Sequence, residues 1–172
     1  PARPAALPRA LEAIAHADLI VLGPGSLYTS LLPNLLVPEL VEAIGRSHAP
    51  RLYICNLMTQ PGETDGLDVS GHLRAIESQL ASIGVEQRLF DSVLAQDALP
   101  DGPELDYYRS KGAEPVDCDL DGLRDQGYRV MLASMQGPQQ RSQGRDFKGT
   151  LRHDSRSLAL AVMRFYRAKA KR

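Results

Sequence analysis

Three stretches of this sequence bring together side chains that could do chemistry. The first is GPGSLYTS, from Gly23 to Ser30, at the end of the apolar run Leu19–Leu22. Gly23 and Gly25 have no Cβ, so backbone N–H groups there can come close to an anion. Ser26, Thr29 and Ser30 add hydroxyl donors, and Tyr28 adds a ring that can stack on a sugar or base or pack as a lid. No lysine lies near, so the stretch is not a Walker A loop, and a lone GxG is equally the mark of a tight turn. A phosphate cradle and a plain turn both remain open. Ser26 is not set in a GxSxG elbow, which argues against a nucleophilic serine.

The second stretch is NLMTQPGETDG, from Asn56 to Gly66. Asn56 and Thr59 can hydrogen-bond a ligand, while Glu63 and Asp65 can hold Mg²⁺ or accept from sugar hydroxyls. The competing reading is a Pro-Gly turn in which Glu63, Thr64 and Asp65 cap local backbone. The third is LRHD, where Arg152 and His153 stand at a helix start. A guanidinium can pair bidentately with phosphate, which a helix N-terminus also favours. A salt bridge or a solvated charge would use Arg152 equally well. His16, His48 and His72 read as residues of helix surfaces or ends.

Composition narrows the classes of partner. Aromatic residues make up 5% of the 172 residues and Trp is absent, which argues against a stacking surface for single-stranded nucleic acid. The net charge of -1 gives no global attraction to nucleic acid or to an anionic membrane. Charge is nonetheless blocked along the chain. Residues 97–125 hold nine acidic and three basic side chains, and residues 141–172 hold ten basic and two acidic ones. A solvated acidic face and a final helix with a basic end account for this. Cys55 and Cys118 are too far apart for a CxxC metal site and read as reduced thiols. No signal peptide or membrane span is evident, so a cytoplasmic location is expected.

Positioning these residues requires alternating elements. Apolar spacing predicts helices over about Leu7–His16, from Pro38 to Gly45, from a Ser70 cap to Gly84, over Glu104–Lys111, and after Asp154. Strands are predicted at Leu19–Leu22, Leu52–Cys55, Ser92–Ala95 and Tyr128–Ser134, with a weaker candidate at Pro115–Cys118. Leu19–Leu22 is all apolar, as a strand buried on both faces would be. Pro33 and Pro38 mark Leu31–Val37 as a loop or short turn, and Gly137–Gly149 reads as a long polar loop. The alternation predicts one α/β domain over residues 1–172. It is a three-layer, Rossmann-like sandwich: a mostly parallel sheet with helices on both faces. Ligands of such folds bind where strands deliver their carboxyl ends. All three stretches meet that condition.

Taken together, ADLIVLGPGSLYTSLLPNLLVP, YICNLMTQPGETDG, YRSKGAEPV and LRHD resemble the gluconeogenesis factor family, part of the wider 2-phospho-L-lactate transferase superfamily. That resemblance spans nearly the whole chain. It implies a three-layer α/β fold and a cleft for a nucleotide-linked ligand. In the gluconeogenesis-factor branch the ligand is a UDP-sugar such as UDP-N-acetylglucosamine, and the role lies in cell shape and carbon metabolism. In the transferase branch a nucleoside-diphosphate-linked phospholactate is transferred to a deazaflavin alcohol with Mg²⁺. The implied ligand-binding set is Gly23, Gly25, Ser26, Thr29, Ser30, Asn56, Thr59, Glu63, Thr64, Asp65, Tyr108 and Arg152. Tyr108 and Arg152 enter it at the positions of a tyrosine and an arginine associated with UDP-sugar binding. No metal ligand and no resident cofactor are assigned, and Mg²⁺ enters only with the transferase reading. A homo-oligomer is compatible with the pattern. The transferase branch reads GPSNPVTS where this chain has GPGSLYTS, which favours the regulator branch. Family members open with a GGGTG-type turn that this sequence lacks. The chain therefore reads as a C-terminal half, expected to bind weakly unaided.

Overall fold

The computed structural model describes residues 4–98, 103–136 and 151–170. The elements run α1 (Pro8–Ala15), β1 (Ile20–Leu22), a π-turn (Leu27–Leu31), α2 (Leu32–Leu35), α3 (Pro38–Arg46), β2 (Arg51–Ile54) and α4 (Val69–Ser82). They continue as β3 (Ser92–Gln96), α5 (Pro103–Ser110), α6 (Leu120–Asp125), β4 (Arg129–Ala133) and α7 (Ser155–Ala170). The predicted Gly137–Gly149 loop falls outside the described residues. None of the described helices is long and apolar enough to cross a membrane.

The four strands form one parallel sheet in the order β1-β2-β3-β4, with Leu22 beside Tyr53, Tyr53 beside Val93 and Val93 beside Val130. Crossovers between parallel strands share one hand. A sheet that grows in a single direction must therefore carry its crossover helices on one face. Val41 and Ile44 of α3, Val69, Leu73, Ile76 and Leu80 of α4 and Leu123 of α6 all join a core with Tyr53, Cys55 and Val93. The alternate strand residues Leu52, Ile54 and Leu94 point the other way, onto Ala161 and Phe165 of α7. Helices thus cover both faces, as the alternation required.

The same handedness corrects the reading of β1. Ile20 and Leu22 pack into the first core, but Val21 points to the α7 face and is 40% exposed. β1 is an edge strand buried on one side only, because α7 packs over its neighbours. Leu31–Val37 is not a loop. The π-turn runs into α2, and Pro33 is accommodated in the first helical turn, where its missing N–H costs nothing.

Helix α4 is capped by Asp68, whose Oδ1 accepts from the Gly71 N–H, and Ser70 lies inside the helix. Gly84 closes that helix at φ +85, as expected. His72 is fully buried in the first turn of α4, not on its surface. Pro115–Cys118 forms only an isolated antiparallel bridge, Pro115 to Met58, and the following helix α6, absent from the sequence reading, is capped by Asp119. Cys55 is buried and Cys118 half-buried, and both are free thiols.

Candidate functional site

The stretch after β1 is shaped first by packing. Gly23 takes φ +88, and a Cβ there would lie 2.7 Å from the Ile54 carbonyl oxygen at the end of β2. Glycine at this position lets the loop cross tightly over the sheet edge. At Gly25 the backbone N–H donates to Asn56 Oδ1 (3.3 Å), while Asn56 Nδ2 donates back to the Gly25 carbonyl (3.0 Å). Ser26 Oγ donates to Gln60 Oε1 at 2.7 Å. Beyond them, the Ser30 and Leu31 N–H groups both donate to the Ser26 carbonyl, and Leu27 and Leu31 anchor the π-turn in the core. Tyr28, Thr29 and Ser30 face solvent.

The second stretch divides into two parts. Asn56–Gln60 runs along the sheet edge, where Thr59 is buried and bonded twice to Glu114: its N–H donates to the Glu114 carbonyl (2.7 Å), and its Oγ1 accepts from the Glu114 N–H (2.9 Å). From Gln60 the chain turns. The Glu63 and Thr64 N–H groups donate to the Gln60 carbonyl, Thr64 Oγ1 accepts from the Gln60 N–H (2.8 Å), and Asp65 Oδ2 accepts from the Gly62 N–H (2.7 Å). Oε2 of Glu63 is buried with no hydrogen-bond partner among the described residues.

The stretch YRSKGAEPV meets this edge from the other side. Tyr108 of α5 packs beside Leu57, Met58, Leu105, Ala113 and Leu151. Gly112, at φ +80, ends α5 and returns the chain so that Glu114 and Pro115 reach Thr59 and Met58. In LRHD, His153 Nε2 donates to the Cys55 carbonyl at 3.3 Å and His153 bridges to Gln136. Burial pushes the His153 pKa below its ordinary value. Asp154 Oδ1 accepts from the Ser157 N–H at 2.8 Å and caps α7, and hydrogen bonds to its ionised form from the Ser157 hydroxyl, then from this N–H, lower the carboxyl pKa.

These elements enclose a cleft of about 710 Å³ at the carboxyl ends of β1 and β2. Of the residues predicted from sequence, Gly25, Ser26, Asn56, Thr59, Tyr108 and Arg152 all line it. Gly23, Thr29, Ser30, Glu63, Thr64 and Asp65 do not: Gly23 serves the crossing over β2, and Thr64 and Asp65 are spent on the turn. The lining also takes in Gln60, His153, Leu57, Met58 and Leu151, which were outside the predicted set. Gln60 carries no motif of its own, and only its place between Thr59 and the Pro-Gly turn points to it.

Among the described residues, Arg152 is the one permanently charged side chain in that lining, and no carboxylate pairs with it. The cleft thus offers one cation, neutral hydrogen-bonding groups and an apolar side of Leu57, Met58 and Leu151. An anion with a less polar or hydroxylated remainder is what such a lining can hold. Among the described residues no carboxylate lines the cleft, and no group of three or more His, Cys, Asp or Glu able to hold a metal occurs.

Known proteins similar to this chain fall in one family. The family profile described as 2-phospho-L-lactate transferase CofD matches residues 1–136. The gluconeogenesis factor of Bacillus subtilis is 40% identical over 125 residues, covering 73% of this chain and 38% of that protein. The gluconeogenesis factor of Halalkalibacterium halodurans is 49% identical over 117 residues, covering 68% and 35% respectively. A crystal structure of a UPF0052-family protein from Bacillus halodurans superposes with a TM-score of 0.80 at 38% identity, over 92% of this chain and 46% of that one. The chain spans 32–48% of the length of three of the curated relatives it matches. On these grounds the chain belongs to the family described as 2-phospho-L-lactate transferase CofD, and its relatives include gluconeogenesis factors.

Proposed function

We propose that the cleft binds a nucleoside-diphosphate sugar of the UDP-N-acetylglucosamine type, and that the chain belongs to a cytoplasmic regulator of cell shape and carbon metabolism. The observation that carries this reading is a lone guanidinium, Arg152, that lines one cleft with Ser26, Asn56 and Thr59, with no carboxylate in that lining among the described residues. Such a lining suits a diphosphate at the arginine and hydroxyls or amides at the neutral groups. Tyr108 and the apolar side offer a surface for a ring. Titration calorimetry with UDP-N-acetylglucosamine tests it. Losing one charged hydrogen bond should cost about 1.5–3 kcal/mol, so Arg152→Ala should weaken binding about 10- to 150-fold with the melting temperature unchanged. An unchanged dissociation constant removes Arg152 from the site, and no heat at millimolar ligand removes the reading.

The family profile favours a second reading, in which the whole protein transfers a phospholactate group to a deazaflavin alcohol. The sequence GPGSLYTS, in place of the transferase's GPSNPVTS, stands against it. Chromatographic product formation from a deazaflavin acceptor in the presence of Mg²⁺ would decide for the transferase.

A further inference from the structure

We infer that Asn56 and Gln60 form an amide clamp that positions the 24–26 segment as a wall of the cleft. Apart from the Ser26 carbonyl, which accepts from the Ser30 and Leu31 N–H groups, the segment has little else to hold it. Pro24 is exposed, Gly25 has no side chain, and the apolar anchors begin only at Leu27. Three hydrogen bonds cross from it to the second loop: two between Gly25 and the Asn56 amide, and one from Ser26 Oγ to Gln60. The reciprocal pair at Gly25 engages both its N–H and its C=O, so one side chain fixes the peptide plane on either side of that residue.

The far end of the clamp is itself rigid. The Gln60 N–H donates to Thr64 Oγ1 at 2.8 Å, its carbonyl accepts from Glu63 and Thr64, and Thr64 is fully buried. Asn56 directly follows Cys55, whose N–H is bonded to Leu94 of β3. The sheet thus passes its rigidity through Asn56, and the Pro-Gly turn passes its own through Gln60, to a segment that packing leaves free. This gives Thr64 and the Pro-Gly turn a purpose in the cleft without lining it. It also means that the Gly25 N–H is already engaged, which leaves Arg152 as the main seat for an anion.

Hydrogen–deuterium exchange of the 23–31 segment in the ligand-free protein tests the clamp, and nucleotide affinity tests its consequence. A hydrogen bond of ordinary net strength corresponds to roughly a two- to tenfold change in opening. Asn56→Ala should therefore speed exchange of 23–31 about tenfold while the protection of α4 stays as it is. Ser26→Ala and Gln60→Ala should each give a smaller rise, and their double variant no more than either alone, because they remove the same bond. Exchange unchanged in Asn56→Ala, or additive effects of Ser26→Ala and Gln60→Ala, would overturn the clamp.

The affinity arm rests on the proposed function and is read separately. Gln60→Ala should weaken UDP-N-acetylglucosamine binding about three- to tenfold, and an equal or tighter dissociation constant would overturn the positioning role. If the unaltered protein binds no nucleotide sugar but Asn56→Ala still loosens 23–31, the proposed function fails and the clamp stands.

Discussion

Gly23 and Gly25 stand two residues apart and do different work. Gly23 is held at φ +88 with the Ile54 carbonyl where its Cβ would go, whereas a Cβ on Gly25 would meet side chains alone, Leu31 at 3.2 Å and Ser30 at 3.8 Å. Left-handed backbone costs an alanine about 1–2 kcal/mol, and a clash with backbone adds to that. Gly23→Ala should therefore destabilise by about 2–4 kcal/mol in urea unfolding, and Gly25→Ala by under about 1 kcal/mol. Equal losses would show that the two glycines share one role. His72 makes a second case at this scale. Its Nδ1 donates to the Asp68 carbonyl at 2.9 Å, while its Nε2 is buried with no partner among the described residues. Burial holds its pKa below the ordinary 6.5, so the unfolded chain takes up a proton that the folded one resists. This stability is complete above about pH 6.5 and is lost as pH falls through the folded value. His153 acts with the same sign. The melting temperature should drop between pH 7 and pH 5, and His72→Leu should flatten that slope. A slope identical in the variant would remove His72 as a source.

Among the elements, α4 shows what the sequence could and could not disclose. Its apolar spacing and the Gly84 stop were legible, but Asp68 and Ser70 are both good caps and stand two residues apart. Only the backbone decides between them, and the Gly71 N–H goes to Asp68. Asp68→Ala should cost about 1 kcal/mol by thermal or urea unfolding. Ser70→Ala should cost less, and the reverse order would contradict the assigned cap. The strands were legible from apolar runs, while the exposed side of β1 was not, because it depends on crossover handedness and on where α7 comes to rest. For the site, the rule that strands deliver ligand loops at their carboxyl ends pointed to Gly25, Asn56 and Arg152, the family resemblance added Tyr108, and all four line one cleft. The rule does not separate residues that face the cleft from those that build its turns. Thr64 and Asp65 have the same side-chain chemistry in either place, and their use is set by hydrogen bonds to Gln60 and Gly62.

For the molecule as a whole, the two faces of the sheet are unequally supported. The crossover face carries α3, α4 and α6 over one continuous core, while the opposite face rests on α7, chiefly through Ala161 and Phe165. The cleft depends on both. Loops one and two leave the sheet itself, but Arg152 and His153 stand just before α7, tied to the sheet through the Cys55 carbonyl and to Met135 through the Asp154 N–H. Loosening α7 should thus release one wall of the cleft and leave the other in place. Phe165 is 7% exposed, and truncating a buried phenylalanine costs about 3–5 kcal/mol. Because the second core is separate from the first, Phe165→Ala should act mainly on α7. Exchange over 155–170 should rise by about 100-fold or more, while α4, packed on the other face, changes by less than about threefold. Nucleotide affinity should fall along with α7 protection, since Arg152 is carried on the same segment. If α4 and α7 lose protection together, the two faces open as one unit and the cleft has no wall that moves independently. If α7 loosens and affinity holds, Arg152 is fixed by its own loop and not by the helix that follows it.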